Sequence, residues 1–230
     1  TRGVDQEIQG TIRLTLPPAS GFNVLMECLA EFSDRYPGIE LEVITSTESL
    51  DLGRREADIA IRLLRVGTRP PDSLIGRKIS PMTVSAYVHR DLLKPDDPED
   101  VSHLSWIALG SGLSDHPWRT LCKNGLLPVR HAITDLNLQV EAVRNKMGMM
   151  FAPCAIFRDF PEIVRVPGED THHFLDLWVV THKDLRLSAR MRILREILAD
   201  ELMTLRPYFD SRFDSTLNTD DQAVSKMQHV

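Results

Sequence analysis

The sequence predicts an α/β fold in two lobes, and three observations support this. A strand, a helix and a second strand follow one another between residues 10 and 43. The same alternation returns, with weaker periodicity, after residue 104. Two further apolar strands, at residues 83–88 and 174–181, stand where the chain would leave the first lobe and return to it. Open α/β sheets bind small ligands where a strand leads into a helix, so this fold class favours a ligand-binding function.

The first lobe has the clearest periodicity. Residues 10–16 alternate apolar and polar side chains, the period-two pattern of a half-buried strand. Pro37 ends the helix that follows, because proline disfavours the helical conformation in the residue before it. Residues 39–43 and 58–62 are predicted strands. The helix presents an apolar stripe at i, i+3, i+4 and i+7, formed by Leu25, Cys28, Leu29 and Phe32.

The second lobe is predicted with strands at residues 104–109, 129–134 and 149–152 and a short helix at residues 117–122. Between the last two strands lies a longer helix, which Asp135 or Asn137 would cap. Gly148 closes that helix. Its apolar stripe consists of Leu136, Val140, Val143 and Met147.

A final amphipathic helix begins near Ser188, and Pro207 is expected to end it. Residues 207–230 are predicted to form a polar C-terminal tail. The sequence shows no internal repeat and no low-complexity tract. The apolar face of the final helix is formed by Met191, Leu194, Ile197, Leu198, Leu202 and Leu205.

The order of these elements resembles the effector-binding domain of LysR-type transcriptional regulators, over about residues 8 to 206. Five motifs occur in the order of that family, and together they are far more specific than any one alone. Where the family usually has a second glycine, this chain has Asn145 or Lys146, so the turn there is expected to differ. The motifs are Gly10-x-x-Arg13-Leu14, Phe32-x-x-x-Tyr36-Pro37, Leu41-Glu42-Val43, Leu50-Asp51-Leu52-Gly53 and Asp58-Ile59-Ala60-Ile61-Arg62.

The resemblance implies a two-lobed fold of the type II periplasmic-binding-protein kind with two crossover strands. Residues 8–84 and 182–206 would form lobe I, residues 85–181 lobe II, and residues 1–7 the end of a linker. A small effector, anionic or hydroxylated, would bind between the lobes. A winged helix-turn-helix before residue 1 would contact DNA, and the regulator would form a homodimer or homotetramer. The alternative with the same architecture is a solute-binding protein of a transport system.

Composition is consistent with an intracellular sensor that does not itself bind DNA. The 230 residues carry a formal net charge of −6, whereas a domain that holds phosphate backbones is expected to be basic. No apolar run reaches the roughly 18 residues of a membrane span, and the first seven residues lack the apolar segment of a signal peptide. Three cysteines without metal or redox-pair spacing favour a reducing compartment, and the cytoplasm is the expected location.

Candidate effector-binding residues stand where strands end. Each has an alternative interpretation: Ser20 and the hydroxyls of residues 45–47 could cap helices, Ser111 and Asp135 could be ordinary loop polarity, and Arg62 could form a structural salt bridge. The family resemblance places effector contacts at the turn that holds Ser20. Thr45, Ser46 and Thr47 follow the second strand, at the expected rim of a cleft between the lobes. The predicted set is Ser20, Thr45, Ser46, Thr47, Arg62, Ser111 and Asp135.

The sequence predicts no enzyme, cofactor or metal site. It contains no Gly-x-Ser-x-Gly elbow, no phosphate-binding P-loop and no His-Glu-x-x-His motif. The adjacent His172 and His173 are expected in a solvated loop. Cys122 and Cys154 could form a redox switch as in the peroxide-sensing branch of the family, or could be small buried residues, and the second interpretation is favoured.

Overall fold

The computed structural model of the chain describes residues 8–17, 22–45, 57–110 and 116–210. Over these ranges the chain forms two compact units. Unit 1 comes from Thr1–Pro81 and Phe174–Arg206, and unit 2 from Met82–His173 and Pro207–Val230. Two long strands each pass from one unit to the other, which confirms the predicted two-lobed organisation with two crossover strands.

Unit 1 is built on three parallel strands, β1 (Gly10–Leu16), β2 (Ile39–Thr45) and β3 (Ile59–Arg65). β1 lies between β2 and β3 and is parallel to both. Helix α1 (Leu25–Arg35) buries Leu25, Cys28, Leu29 and Phe32, so the predicted stripe is confirmed.

The crossover strands are β4 (Leu74–His89) and β9 (His172–His182). β9 is antiparallel to β3. The main sheet runs in the order β2-β1-β3-β9-β4-β7, where β7 is Met150–Pro153. The sequence predicts only residues 83–88 of β4. Its first half was missed because Gly76 and Pro81 interrupt the apolar pattern.

Unit 2 contains the parallel pair β5 (Trp106–Leu109) and β6 (Val129–Ile133), followed by helix α2 (Leu136–Arg144). Strands β7 (Met150–Pro153) and β8 (Ile163–Arg165) both pair antiparallel with β4. The core of this unit packs around Trp106, Ile107, Val143, Met149 and Met150, all fully buried.

The last long helix, α3 (Ala189–Thr204), begins after Ser188 as predicted. Pro207 does not end it, because it belongs to a separate short helix, α4 (Arg206–Phe209). Phe209 and Asp210 are fully buried, and the Phe209 carbonyl accepts a hydrogen bond from Thr83. The chain is therefore still packed at residues 207–210, where the sequence predicts the start of a polar tail. Residues 211–230 lie outside the described residues.

Both crossover strands end in the same local arrangement, so the expectation that the sequence contains no internal repeat is wrong for this short segment. His89 Nδ1 accepts a hydrogen bond from the backbone N–H of Asp91 at 3.2 Å. His182 Nδ1 accepts one from Asp184 at the same distance. Each histidine precedes a basic residue, an aspartate and a leucine in one short 3-10 turn. The repeated tetrapeptide gives each strand a defined end.

Candidate functional site

Four of the predicted effector-binding residues, Ser20, Ser46, Thr47 and Ser111, lie outside the described residues. Thr45, Arg62 and Asp135 are described. Thr45 is the last residue of β2 and is exposed. In the parallel register it is the partner of Leu16, the last residue of β1. The carboxyl ends of β1 and β2 are therefore adjacent.

Asp135 caps helix α2. One of its carboxylate oxygens accepts a hydrogen bond from the backbone N–H of Leu138 at 2.9 Å, and its side chain is exposed. Such a bond satisfies one of the free N–H groups at a helix start. Asp135 rather than Asn137 is thus the cap. This bond gives Asp135 a structural role that needs no ligand. Its role in effector binding therefore remains a prediction.

Arg62 is half-buried in β3, and its alternative interpretation was a structural salt bridge. Its Nη1 donates to the carbonyl of Ile61 at 2.9 Å, while its Nη2 is buried without a partner. No carboxylate of a described residue forms an ion pair with it. Desolvation by burial lowers the pKa of this guanidinium. Arg62 therefore carries a positive charge that the described residues do not compensate.

Trp178 was missed by sequence analysis as a candidate site residue. It stands directly opposite Arg62 in the antiparallel register of β3 and β9. Its indole Nε1 is also buried without a partner. The only signal in the sequence was a tryptophan within the otherwise aliphatic run Leu177-Trp178-Val179-Val180. Such a run is equally typical of a buried strand in the hydrophobic core.

Asp176 and Lys78 form an ion pair in unit 1. Asp176 is almost fully buried, and Lys78 Nζ lies 2.7 Å from its carboxylate. Asp176 is the partner of Leu64 in the register, two positions along the strands from Arg62 and Trp178. The Asp176 carboxylate is thus paired with Lys78.

The cysteines have the environment of buried residues. Cys28 and Cys154 are buried, and Cys122 is half-buried. Burial raises the pKa of Cys122 to about 12 and that of Cys28 to about 11, with smaller contributions from nearby carboxylates. A reactive thiol needs the opposite shift. The favoured interpretation as small packed residues therefore agrees with the structure.

The expectation of a solvated His172–His173 loop is wrong. Both residues belong to β9 and are half-buried, and His172 Nε2 is buried without a partner. Among the described residues, no group of three or more His, Cys, Asp or Glu side chains could hold a metal ion. None of the described helices is long and apolar enough to cross a membrane.

Comparison with known proteins gives a family match over most of the chain. The sequence profile of the LysR substrate binding domain matches residues 5–203. The probable HTH-type transcriptional regulator LtrA of Klebsiella pneumoniae is 26% identical over 212 residues, which covers 86% of this chain and 67% of LtrA. An HTH-type transcriptional regulator of Xanthomonas campestris pv. campestris is 30% identical over 112 residues, 47% of this chain and 32% of that protein.

Solved structures show the same fold. The regulatory domain of CrgA, a LysR-type regulator from Neisseria meningitidis, has a TM-score of 0.67 and 19% identity, and the match covers 84% of this chain and 99% of that one. The effector domain of AmpR from Pseudomonas aeruginosa has a TM-score of 0.65 and 19% identity, with 85% and 96% covered. At these identities the likeness concerns the fold alone, and it confirms the predicted fold class.

Proposed function

Since the chain belongs to the LysR substrate-binding domain family, we propose that it senses a small effector and controls DNA binding by a winged helix-turn-helix upstream of residue 1. The effector is a small metabolite, anionic or hydroxylated, and the protein acts in the cytoplasm. The observation that carries the proposal is the adjacency of the carboxyl ends of β1 and β2, at Leu16 and Thr45, within the matched family region.

Strand ends are suitable places for a ligand because backbone N–H groups and hydroxyls after a strand are not used by the sheet. Ser20 follows β1, and Thr45, Ser46 and Thr47 follow or end β2. In unit 2, Ser111 follows β5. We propose these hydroxyls as effector contacts. Hydroxyls both donate and accept, so they suit a carboxylate or a hydroxyl group of the effector.

The relatives favour a regulator over the alternative of a solute-binding protein. LtrA and the Xanthomonas protein are both described as HTH-type regulators, and the matched region leaves about a third of LtrA uncovered. The sequence of the gene upstream of Thr1 separates the two functions. A helix-turn-helix supports regulation, and a cleaved export signal supports transport.

Effector binding at Ser20 can be tested with a single substitution. Small carboxylates and hydroxy acids are screened by thermal shift, and the best hit is titrated against the wild type, Ser20→Ala and Ser102→Ala. Loss of a hydrogen bond to a charged group costs about 1.5–3 kcal/mol, so Ser20→Ala should weaken an anionic effector by roughly ten-fold or more. Ser102 is exposed and serves as the control. Equal affinity in all three proteins would remove Ser20 from the site.

The DNA-reading part of the proposal predicts that this chain alone binds DNA weakly. Its net charge is −6, and non-specific binding depends on neutralising phosphates with basic side chains. In a mobility-shift assay at about 150 mM salt, the chain should not retard promoter DNA, whereas the full regulator should. A tight, sequence-selective complex of the isolated chain contradicts this assignment.

We also propose that the chain self-associates through α1 and α2. Met26 on α1 is 46% exposed and Leu138 on α2 is 63% exposed, although both helices bury an apolar stripe on their other side. An isologous contact would cover both patches in each of two copies.

A further inference from the structure

One face of the unit 1 sheet carries three polar atoms that are buried without a partner. Thr15 pairs with Ala60, and Ala60 with Val180, in the strand registers. Residues paired in register project to the same face, as do residues two apart on one strand. Arg62 and Trp178 therefore share the face of Thr15, which we name the Arg62 face. Its unpartnered atoms are Thr15 Oγ1, Arg62 Nη2 and Trp178 Nε1.

Packing contacts support this assignment of faces. Trp178 packs with Leu74 against a buried cluster of Ala57, Ala60 and Val180. The opposite face of β1 carries different residues, such as Ile12 and Leu14, which are fully buried. The Arg62 face thus combines small apolar side chains with hydrogen-bonding groups that the described residues leave unused.

Two of the three atoms, Arg62 Nη2 and Trp178 Nε1, are hydrogen-bond donors, and their residues stand directly opposite each other in the pairing of β3 with β9. Directly opposed residues in an antiparallel pair have Cβ atoms about 4.5–5.5 Å apart. A guanidinium and an indole N–H have no acceptor capacity, so they cannot satisfy each other. An acceptor from elsewhere is required.

The charges on this face point to the chemistry of that acceptor. Asp176 also projects to the Arg62 face, but it is held by Lys78 at 2.7 Å. Arg62 keeps a positive charge in a half-buried position without a carboxylate among the described residues. Such a charge is unfavourable unless it is paired, and the lowered pKa of Arg62 reflects this desolvation.

We propose that Arg62 and Trp178 together bind a carboxylate group of the effector, one carboxylate oxygen accepting from each donor. The inference rests on the proposed sensing function and narrows its ligand to an organic carboxylate. One positive charge and two donors match a group with one negative charge and two oxygens. A phosphate ester carries up to two charges and would need a second cation. The Thr15 hydroxyl is the third group available to the ligand.

Unoccupied donors reduce the stability of the ligand-free protein. Both side chains are half-buried, while the two N–H groups themselves are covered. Trp178→Phe removes one unsatisfied donor and keeps an aromatic ring. We therefore expect it to raise the ligand-free melting temperature by about 2–4 °C, the shift that follows from removing roughly one unpaired polar group in a domain of this size.

The direct test uses the indole N–H resonances of ¹⁵N-labelled protein. The chain has three tryptophans, and Trp178→Phe assigns the Trp178 signal. Acetate, benzoate and succinate are titrated at constant ionic strength, each against its neutral amide. The Trp178 signal should shift in a saturable way with at least one carboxylate and not with the amide. Trp106 Nε1 already donates to the Asn124 carbonyl at 3.0 Å, so its signal is the internal reference.

Arg62→Gln and Arg65→Gln form a matched pair on β3. The exposed Arg65 guanidinium lies over the Phe174 ring at 5.3 Å, so its replacement removes the same charge without touching the Arg62–Trp178 pair. Arg62→Gln should weaken the carboxylate by about ten-fold or more, and Arg65→Gln should leave it unchanged.

Two results overturn the inference. One is a Trp178 signal that does not respond to any of the three carboxylates or responds equally to their amides. The other is equal carboxylate affinity in wild type and Arg62→Gln. If Ser20→Ala still weakens an effector in that case, the sensing function stands and only the carboxylate pair is lost. A chain with no effector at all would instead show no ligand-dependent change in either Ser20→Ala or Arg62→Gln experiments.

Discussion

Glu169 shows how one buried carboxylate can hold a turn in unit 2. It is 6% exposed, and its oxygens accept from the backbone N–H groups of Lys123 at 2.9 Å and Asn124 at 2.8 Å. The Asn124 side-chain amide donates a third bond at 3.0 Å. The carbonyl oxygen of Asn124 in turn accepts a hydrogen bond from the indole N–H of Trp106. The Glu169 carboxylate therefore supports the turn against which the unit 2 core packs.

Glu169→Gln should therefore destabilise the protein. The substitution places an NH₂ group where a backbone N–H now donates, and it removes charge-assisted bonds. We expect a loss of about 1.5–3 kcal/mol in the free energy of unfolding, measured by urea denaturation. Glu99→Gln is the control, because Glu99 is exposed, and should change stability by less than about 0.5 kcal/mol. Equal effects of the two substitutions contradict this role of Glu169.

The raised thiol pKa values of Cys28 and Cys122 predict low reactivity. The thiolate is the reacting species, and a pKa of about 11 or 12 leaves far less thiolate at pH 8 than the ordinary pKa of a free cysteine. Alkylation of Cys28 and Cys122 in the folded protein by iodoacetamide at pH 8 should be at least about 100-fold slower than that of a free thiol. The rate should rise with pH above 8. Rapid alkylation of the native protein would show that either thiol is exposed or activated.

Residue-level function was only partly predictable from the sequence. Arg62 was identified because it ends a strand motif, and Asp135 because capping residues have a recognisable position. Trp178 could not be identified, because its significance depends on standing opposite Arg62, and the register between β3 and β9 joins residues from distant parts of the chain. An unused hydrogen-bond donor is a property of the packed structure rather than of the sequence.

At the scale of secondary structure elements, the turn after α2 departs from the expected glycine. Helix α2 ends at Arg144 with Asn145 as its C-cap, and Lys146 has a φ of 63°. A left-handed conformation is unfavourable for residues with a Cβ and natural for glycine. The Lys146 side chain also forms an ion pair with Asp91 at 2.6 Å. The chain accepts a strained backbone at the position where the family resemblance places a glycine.

Lys146→Gly should stabilise the backbone of this turn. The control is Lys146→Ala, which also removes the ion pair but keeps the Cβ. Lys146→Gly should be more stable than Lys146→Ala by about 1 kcal/mol, the typical cost of the left-handed conformation. Thermal and urea unfolding of both variants measure the difference. If Lys146→Ala is the more stable variant, the backbone at this position is not strained as described.

Elements with strong local patterns were predicted well, and elements defined by packing were not. The predicted strand at residues 10–16 has the same bounds as β1, because its alternation stops at two prolines. The short helix Arg206–Phe209 had no local signal, since a proline such as Pro207 normally indicates the end of a helix. It forms because Phe209 is buried in unit 2. Tertiary packing there overrides the local sequence preference.

At the scale of the whole molecule, exposed apolar residues on α1 and α2 predict self-association. Leu138→Glu places a charge on the proposed contact and should weaken the dimer by about ten-fold or more. Leu126 is 95% exposed and lies on neither helix, so Leu126→Glu is the matched control and should leave association unchanged. Analytical ultracentrifugation over a micromolar concentration range gives both constants and separates a dimer from a tetramer. A wild-type protein that stays monomeric throughout rules out the proposed contact.

The discontinuity of unit 1 also determines when this protein can fold. Ile59 pairs with Thr181 and Leu63 with Leu177, so β3 remains an open sheet edge until the ribosome has released β9. Helix α3, which contacts α1, is synthesised later still. Unit 1 therefore has a high contact order, and its nascent strands stay unpaired while residues 82–173, the larger part of unit 2, are synthesised. Chains that terminate before β9 should consequently be prone to aggregation and cleared by proteases, even though they contain both β1 and β2.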